Sequence, residues 1–289
     1  MNILVTGATG FVGERLARAL AKDNKITALT KSNENRLLGL KNVKVIKCDL
    51  AKEGFSKKLP EDVDVIIHLA AVMDNLAIGK DELTAFNLNC ASTFELLEYG
   101  KRIGIKKFIF ASSASVYASQ DGPVSEDAKP RPADFYGLTK YISELLVNSY
   151  REDFITLILR LSLFYGPGQR EERLVPRFAN KIRKEEPLTV FNNGKNPVIS
   201  LIYVDDLIEI LKRTLLVNKP CVVNVSSEDK KSIFEIGTAI GNLIGIKAKF
   251  EYKNNPSKRN TIVNISRMKK IFKYTPKVMF EEGLAKCLK

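Results

Sequence analysis

Tyr136 and Lys140 stand four residues apart at the start of a segment, 135–152, in which Leu138, Tyr141, Ile142, Leu145 and Leu146 recur at helical intervals. Four residues is just over one helical turn, so the phenol and the ammonium share a face. A free tyrosine titrates near ~10 and is a poor base at neutral pH. A neighbouring lysine favours the phenolate and lowers that value. Tyr136 then suits general acid–base work on a substrate hydroxyl or carbonyl. Ser113 closes the apolar run Lys107-Phe-Ile-Phe-Ala-Ser-Ser113 and can hydrogen-bond the same oxygen. A lone Tyr–Lys pair at this spacing is most often surface packing. Its coincidence with a serine-rich strand end and a glycine-rich N-terminus is what gives it weight.

That N-terminus reads strand, turn, helix. Ile3, Leu4 and Val5 make a short apolar run, Gly7, Gly10 and Gly13 follow at three-residue spacing, and 14–21 carries Leu16, Ala17 and Leu20. Such a turn brings bare backbone N–H groups and a helix N-terminus close to a pyrophosphate. It predicts a dinucleotide site, with Gly7, Thr9, Gly10, Phe11 and Val12 as candidate cofactor contacts. An NAD site of this kind expects an acid at the end of the second strand to hold the ribose 2′-hydroxyl. Here strand 25–30 ends in Thr30-Lys31-Ser32. A lysine there suits a 2′-phosphate, so NADP(H) is favoured over NAD(H).

The elements that hold these groups alternate. Strands are expected at 43–49, 63–71, 107–113 and 155–160, with helices at 83–103 and 135–152. This is an α/β chain with a Rossmann-type, doubly wound parallel sheet covered on both faces. Ligands bind at the carboxyl ends of such strands, where Ser113 falls. Beyond Tyr165-Gly-Pro-Gly-Gln169 the pattern loosens into a helix at 174–182, a strand at 188–191, and a strand and helix at 201–216.

The 289 residues are 45% hydrophobic and 27% charged, with a net charge of +13. Lys and Arg are scattered in short runs such as Lys106-Lys107 and Lys258-Arg259, and there is no nucleic-acid-binding signature. The charge reads as a solvated surface that would draw anionic substrates. Cys48, Cys90, Cys221 and Cys287 have no metal or redox spacing, and His68 is the only histidine. No apolar run approaches the length of a membrane span. A reduced, cytoplasmic enzyme with a small-molecule substrate and no nucleic-acid, membrane or metal partner is expected.

The sequence resembles the extended short-chain dehydrogenase/reductases, the NAD-dependent epimerase/dehydratase family. The resemblance rests on Thr6-Gly-Ala-Thr-Gly-Phe-Val-Gly13, His68-Leu-Ala-Ala71, Phe108-Ile-Phe-Ala-Ser-Ser-Ala-Ser-Val-Tyr117, Tyr136-Gly-Leu-Thr-Lys140, Tyr165-Gly-Pro-Gly168, Tyr203-Val-Asp-Asp206 and Pro276-Lys-Val-Met-Phe-Glu-Glu-Gly-Leu284. It implies a dinucleotide-binding domain over 1–165 with a return segment at about 197–216. A smaller α+β substrate domain would take 166–196 and 217–289. By the same resemblance Ser113, Tyr136 and Lys140 form the catalytic triad, and Lys140 also holds the nicotinamide ribose. Asp49 and Leu50 would lie beside the adenine, while Leu69, Ala70 and Ala71 line the cofactor groove. Asn89 falls where the family has a structural asparagine. A homodimer built on helices around 84–102 and 136–152 is implied too.

Departures from the family pattern narrow the chemistry. The dehydratase branch carries Asp-Glu just after the catalytic Ser or Thr, and this chain has Ala114-Ser115, as in 4-epimerases and 4-ketoreductases. Ser115 is therefore a candidate substrate contact. Leu163 stands near the place of a substrate-touching Asn. Pro197-Val-Ile-Ser200 lacks the arginine that many relatives offer a diphosphate, and Arg170, Arg173, Arg177 or Lys181 could replace it. The resulting expectation is hydride transfer at a keto or hydroxyl carbon of a sugar nucleotide. Reduction of a smaller carbonyl compound and a non-catalytic dinucleotide-binding module are the alternatives.

Overall fold

The computed structural model describes residues 1–31, 35–73, 81–118, 122–191, 198–253 and 262–288. Ser32, Pro197 and the Lys258-Arg259 run lie outside the described residues. The described strands are β1 (Asn2–Thr6), β2 (Lys25–Thr30), β3 (Val43–Lys47), β4 (Val65–His68), β5 (Lys107–Ser113) and β6 (Ile155–Leu161), then β7 (Leu163–Tyr165), β8 (Leu188–Phe191), β9 (Val198–Tyr203), β10 (Cys221–Val225), β11 (Lys230–Ser232) and β12 (Phe250–Lys253). Helices α1 (Phe11–Leu20), α2 (Glu82–Phe86), α3 (Ser92–Ile103) and α4 (Phe135–Ser149) lie between strands of the first half. They are followed by α5 (Leu174–Arg183), α6 (Val204–Arg213), α7 (Ile233–Ile244), α8 (Ser266–Phe272) and α9 (Phe280–Leu288).

Seven strands form the main sheet in the order β10-β6-β5-β4-β1-β2-β3. The pairings β1–β2, β1–β4, β2–β3 and β4–β5 are all parallel. Helices cover such a sheet on both faces, so its central strands are largely apolar rather than alternating. Ile3, Leu4 and Val5 in β1 and Ile66 and Ile67 in β4 are fully buried, as are Phe108, Ile109 and Phe110 in β5. Burying each large apolar side chain contributes roughly 1.5–3 kcal/mol. The strand order reverses at β1 and β4, which sets Gly7 and Leu69 beside each other at the carboxyl edge.

The helix expected over 83–103 is interrupted. Between α2 and α3 lies a π-helical turn, Asn87–Ala91. A π turn admits one extra residue and redirects a side chain, and such turns recur at functional sites. Here the redirected residue is Asn89, which is buried and bonded outside its own helix. The strand expected at 43–49 ends at Lys47, so Asp49 lies in the following turn.

The chain forms two compact units. The first comprises Met1–Val116, Pro130–Arg160 and Ile210–Val223, and the second Tyr117–Lys129, Leu161–Glu209 and Asn224–Lys289. In the second, β11-β9-β7 and β12-β8 form two small sheets. The Tyr165 ring packs edge-on to Tyr203 at 5.6 Å and against Phe280 at 5.7 Å. Asp206, at the start of α6, accepts bonds from Tyr274 Oη (2.6 Å) and the N–H groups of Lys277 and Val278 (2.9 and 3.0 Å). That staple holds the segment leading into α9.

Candidate active site

The glycine turn is built around close backbone approach. Gly7 has φ +64°, and a Cβ there would lie 2.9 Å from Ala70 N. A Cβ on Gly13 would lie 2.1 Å from Gly7 O. No larger residue fits either position without displacing backbone, so the first turn of α1 sits directly on the end of β1. Gly10 N–H donates to Gly7 O at 2.9 Å, and Gly10 caps α1 with no side-chain bond. Phe11 lies under the Arg15 guanidinium at 4.4 Å, and Val12 is buried. Backbone N–H groups and a helix N-terminus in this arrangement fit a dinucleotide pyrophosphate.

At the end of β2, Thr30 is buried, with its hydroxyl 3.3 Å from that of Thr9. Lys31 points outward with 73% of its side chain exposed, and its Nζ pairs with Asp49 at 3.3 Å. Asp49 also accepts from Ala51 N, and Leu50 packs into the core. At the end of β4, Leu69, Ala70 and Ala71 are half-buried. The N–H groups of Leu69 and Ala70 both donate to Thr6 Oγ1 at 3.1 Å.

Ser113 ends β5, half-buried, and its Oγ accepts from Ser115 N–H at 3.1 Å in the 3-10 turn Ala114–Val116. Helix α4 starts against that turn. Asp134 caps it by accepting from Gly137 N–H at 2.7 Å, and a Cβ on Gly137 would lie 2.4 Å from Ser115 O. The missing side chain lets the helix start press onto the strand end that carries Ser113. Tyr136, beside this contact, is half-buried. Lys140, one turn on, is 2% exposed, which excludes surface packing for it.

The Lys140 ammonium lies 4.4 Å over the Phe110 ring. Among the described residues it makes no hydrogen bond. Burial pushes its pKa down to about 7, opposed by the Cys90 thiol and the Glu144 carboxylate. A buried ammonium costs free energy unless a partner accepts its protons. A ribose hydroxyl pair and a tyrosyl oxygen would supply that partner. The lysine and the glycine cradle thus both fit a nicotinamide dinucleotide.

A polar frame lies behind these groups. Asn89 Oδ1 accepts from Val72 N (2.9 Å), and its Nδ2 donates to Val72 O and Thr139 Oγ1 (both 3.0 Å). Thr139 in turn donates to Tyr136 O at 2.8 Å. His68 is fully buried between Thr6 and Thr93, and burial holds its pKa near 3, so it is neutral and bridges rather than catalyses.

Of the remaining candidates, all but Ser115 lie in the second unit. Leu163 is half-buried in β7, paired in register with Leu201. Arg170 is exposed, and its carbonyl accepts from Arg173 N–H. Arg177 lines an open surface depression with Lys181, Lys184, Glu171, Glu172 and Glu186. Ser115 is half-buried in the first unit, beside Ser113. Among the described residues no cluster of His, Cys, Asp or Glu could hold a metal ion, and no helix is long and apolar enough to cross a membrane.

Residues 3–226 match the model of the NAD-dependent epimerase/dehydratase family. The chain belongs to that family. It is an NAD(P)-dependent enzyme of the extended short-chain dehydrogenase/reductase type. A UDP-glucuronate 4-epimerase of Thermodesulfobacterium geofontis is 31% identical over 304 residues, covering 97% of this chain and 93% of that protein. A protein of Bacillus subtilis (strain 168) described as an uncharacterised UDP-glucose epimerase is also 31% identical, over 98% of this chain and 96% of its own. The crystal structure of a UDP-glucuronic acid 4-epimerase from Bacillus cereus, in complex with UDP-glucuronic acid and NAD, has a TM-score of 0.90. It is 31% identical, covering 99% of this chain and 97% of its own. The parallel sheet and glycine turn described above are this family's fold.

Proposed function

We propose that this chain transfers a hydride at a keto or hydroxyl carbon of a sugar nucleotide, without eliminating water, and that Tyr136 is its general acid–base. The observation that carries the reading is the buried Lys140 ammonium, one helical turn from Tyr136, on a helix pressed by Gly137 against the Ser113–Ser115 turn. In the oxidative direction Tyr136 takes the substrate hydroxyl proton, and Ser113 hydrogen-bonds the same oxygen. Lys140 stabilises the phenolate and holds the ribose. A bound nicotinamide would supply the hydride acceptor and, for an epimerisation, the hydride donor to the opposite face. Ala114 and Ser115 offer no carboxylate after Ser113 to assist loss of water. The first part of the chain, 1–165 with 197–216, takes the cofactor. Residues 166–196 and 217–289 take the distal part of the substrate, with Arg170 and Arg177 among its contacts there and Leu163 a contact from the first part.

The similarity to UDP-glucuronate 4-epimerases favours epimerisation. A second reading, net reduction of a 4-keto sugar, is favoured by Lys31, because a 2′-phosphate site suits the usual cellular reductant. Incubation with UDP-glucuronate, UDP-glucose and their 4-keto forms separates the two. Inverted product without cofactor turnover means epimerase, and stoichiometric cofactor oxidation means reductase. Tyr136→Phe keeps the ring and removes the proton, so turnover should fall by about 10² to 10⁴. Full activity in that variant, or a 4-keto-6-deoxy product, would overturn the proposal.

Leu83 and Phe86 on α2, Phe94 on α3, and Leu138 and Leu145 on α4 are all exposed. Leu138 and Leu145 are seven residues apart and so lie on one face of α4. A second copy of the chain is the proposed occupant of this surface, making the enzyme a homodimer.

A further inference from the structure

One turn beyond Lys140, α4 buries a carboxylate that the proposed chemistry does not use. Glu144 is 4% exposed. Its Oε1 accepts from Ser112 Oγ at 2.5 Å and from Arg160 Nε at 3.0 Å. Its Oε2 accepts from Arg160 Nη2 at 2.7 Å and Nε at 3.2 Å. Arg160, on β6, is 5% exposed. Three elements therefore meet at one carboxylate: β5 through the residue before Ser113, β6, and the helix that carries Tyr136 and Lys140.

We infer that Glu144 is a positioning residue for the Ser113–Tyr136–Lys140 site, fixing the end of β5 against α4 through Ser112 and Arg160. This rests on the catalytic reading given above. A buried ion pair is seldom retained for stability alone, because apolar residues of equal volume often serve as well or better. What it adds is a fixed register. The bidentate Arg160 fork and the Ser112 bond set Glu144 in one rotamer. Because Glu144 is one helical turn from Lys140 and two from Tyr136, a fixed Glu144 fixes the rotation of that helix face relative to Ser113.

Charge points the same way. The groups facing Lys140 are His68 from β4, the Phe110 ring from β5, the Cys90 thiol from the π turn and Glu144 from its own helix. His68 is neutral, and burial raises the Cys90 pKa, so that thiol is protonated at neutral pH. Glu144 is the carboxylate in that set. Removing its charge leaves Lys140 with Arg160 beyond it and no fixed anion among these neighbours.

The test compares Glu144→Gln, Glu144→Asp, Ser112→Ala and Tyr136→Phe in the full chain, with turnover measured on the sugar nucleotide that the wild type converts. In Glu144→Gln we expect kcat to fall about tenfold or more with KM within about threefold. The alkaline limb of the pH profile should move about one unit lower, a shift equivalent to ~1.4 kcal/mol. Glu144→Asp keeps the charge and should leave that limb in place. The cofactor-free protein gives an independent reading. Lys140 has a lowered folded pKa, so its contribution to stability grows as pH rises from about 7 towards 10.5. In Glu144→Gln that rise should begin about one unit lower. If Glu144→Gln does not fold, Ser112→Ala decides: it keeps the ion pair, and kcat, measured well below a somewhat lowered melting temperature, should fall about threefold or more. Wild-type kcat and an unmoved limb in a folded Glu144→Gln, or wild-type kcat in Ser112→Ala, overturns the inference while an inactive Tyr136→Phe leaves the catalytic reading standing. An active Tyr136→Phe sinks both.

Discussion

The Thr6 hydroxyl donates to His68 Nδ1 across 2.6 Å. The direction follows from counting lone pairs: Thr6 Oγ1 already accepts from Leu69 and Ala70 N–H, so its proton goes to the ring. His68 Nε2 then carries the hydrogen and donates to Thr93 Oγ1 at 3.1 Å, and Thr93 donates to Asn89 O at 2.7 Å. A one-way chain of bonds thus runs from the strand under the glycine turn to the π turn, and through Asn89 and Thr139 to the backbone of Tyr136.

His68→Phe would keep a ring between Phe108 and Phe110 while breaking both bonds. Leaving buried polar partners unsatisfied costs about 1–3 kcal/mol, which denaturant melts at pH 7 would register. The pH dependence gives a sharper check. The unfolded chain protonates its histidine below about 6.5, whereas the folded one holds off to about 3. The wild type therefore loses stability as pH falls across that window. The variant should lose less between pH 6.5 and 3, and an unchanged acid slope would contradict the assignment.

Lys140→Met should abolish turnover and yet stabilise the cofactor-free protein at pH 7, by about 1 kcal/mol or more. The sign comes from the depressed pKa: between about 7 and 10.5 the unfolded state binds the proton more readily, so folding at or below neutrality bears the cost of a buried cation. The gap between variant and wild type should shrink as the melts are moved to pH 9. A Met variant less stable than wild type at pH 7 would show that the ammonium has partners worth more than its burial costs.

The proposed preference for NADP(H) turns on Lys31. Its pair with Asp49 is exposed, and such pairs are worth about 0–1 kcal/mol. A 2′-phosphate could displace Asp49 at small cost. Fluorescence titration should give tighter binding of NADPH than NADH, with Lys31→Ala narrowing the difference. Tighter NADH binding that Lys31→Ala leaves unaltered would assign the site to NAD.

Leu145→Lys places a charge on the exposed apolar face of α4. If a second copy covers that face, light scattering should report a dimer for the wild type and a monomer for the variant, with the secondary structure intact. A monomeric wild type would remove this proposal.

Local pattern was legible where the structure is local. The segments 25–30 and 107–113 form strands with those same ends, because an apolar run bounded by charges or serines is decided within a few residues. The Tyr136–Lys140 face and the glycine turn likewise follow from spacing. The interruption of the 83–103 helix was not visible, since apolar spacing persists through it. What breaks the helix is Asn89 bonding to Val72 and Thr139, 17 and 50 residues away. Glu144 and Arg160 were illegible for the same reason. A Glu in a helix and an Arg at a strand end look solvated until the fold buries them face to face. Gly137 reads as a poor helix residue until Ser115 O appears beside it.

Lys107, at the start of β5, has its ammonium buried against two carbonyls, Thr214 O at 3.1 Å and Leu215 O at 2.6 Å. Those acceptors are made by the ribosome more than a hundred residues after the lysine. The unit that contains β5 also receives its last stretch, Ile210–Val223, only after Leu161–Glu209 has been made for the other unit. During synthesis the sheet therefore waits with one edge open and one cation unanswered, and a truncated chain ending near residue 165 would keep both defects. Such a fragment should be recovered as an aggregating or chaperone-bound species rather than as a separate nucleotide-binding domain. The two units of this enzyme are interleaved along the chain, and so in the order of its synthesis.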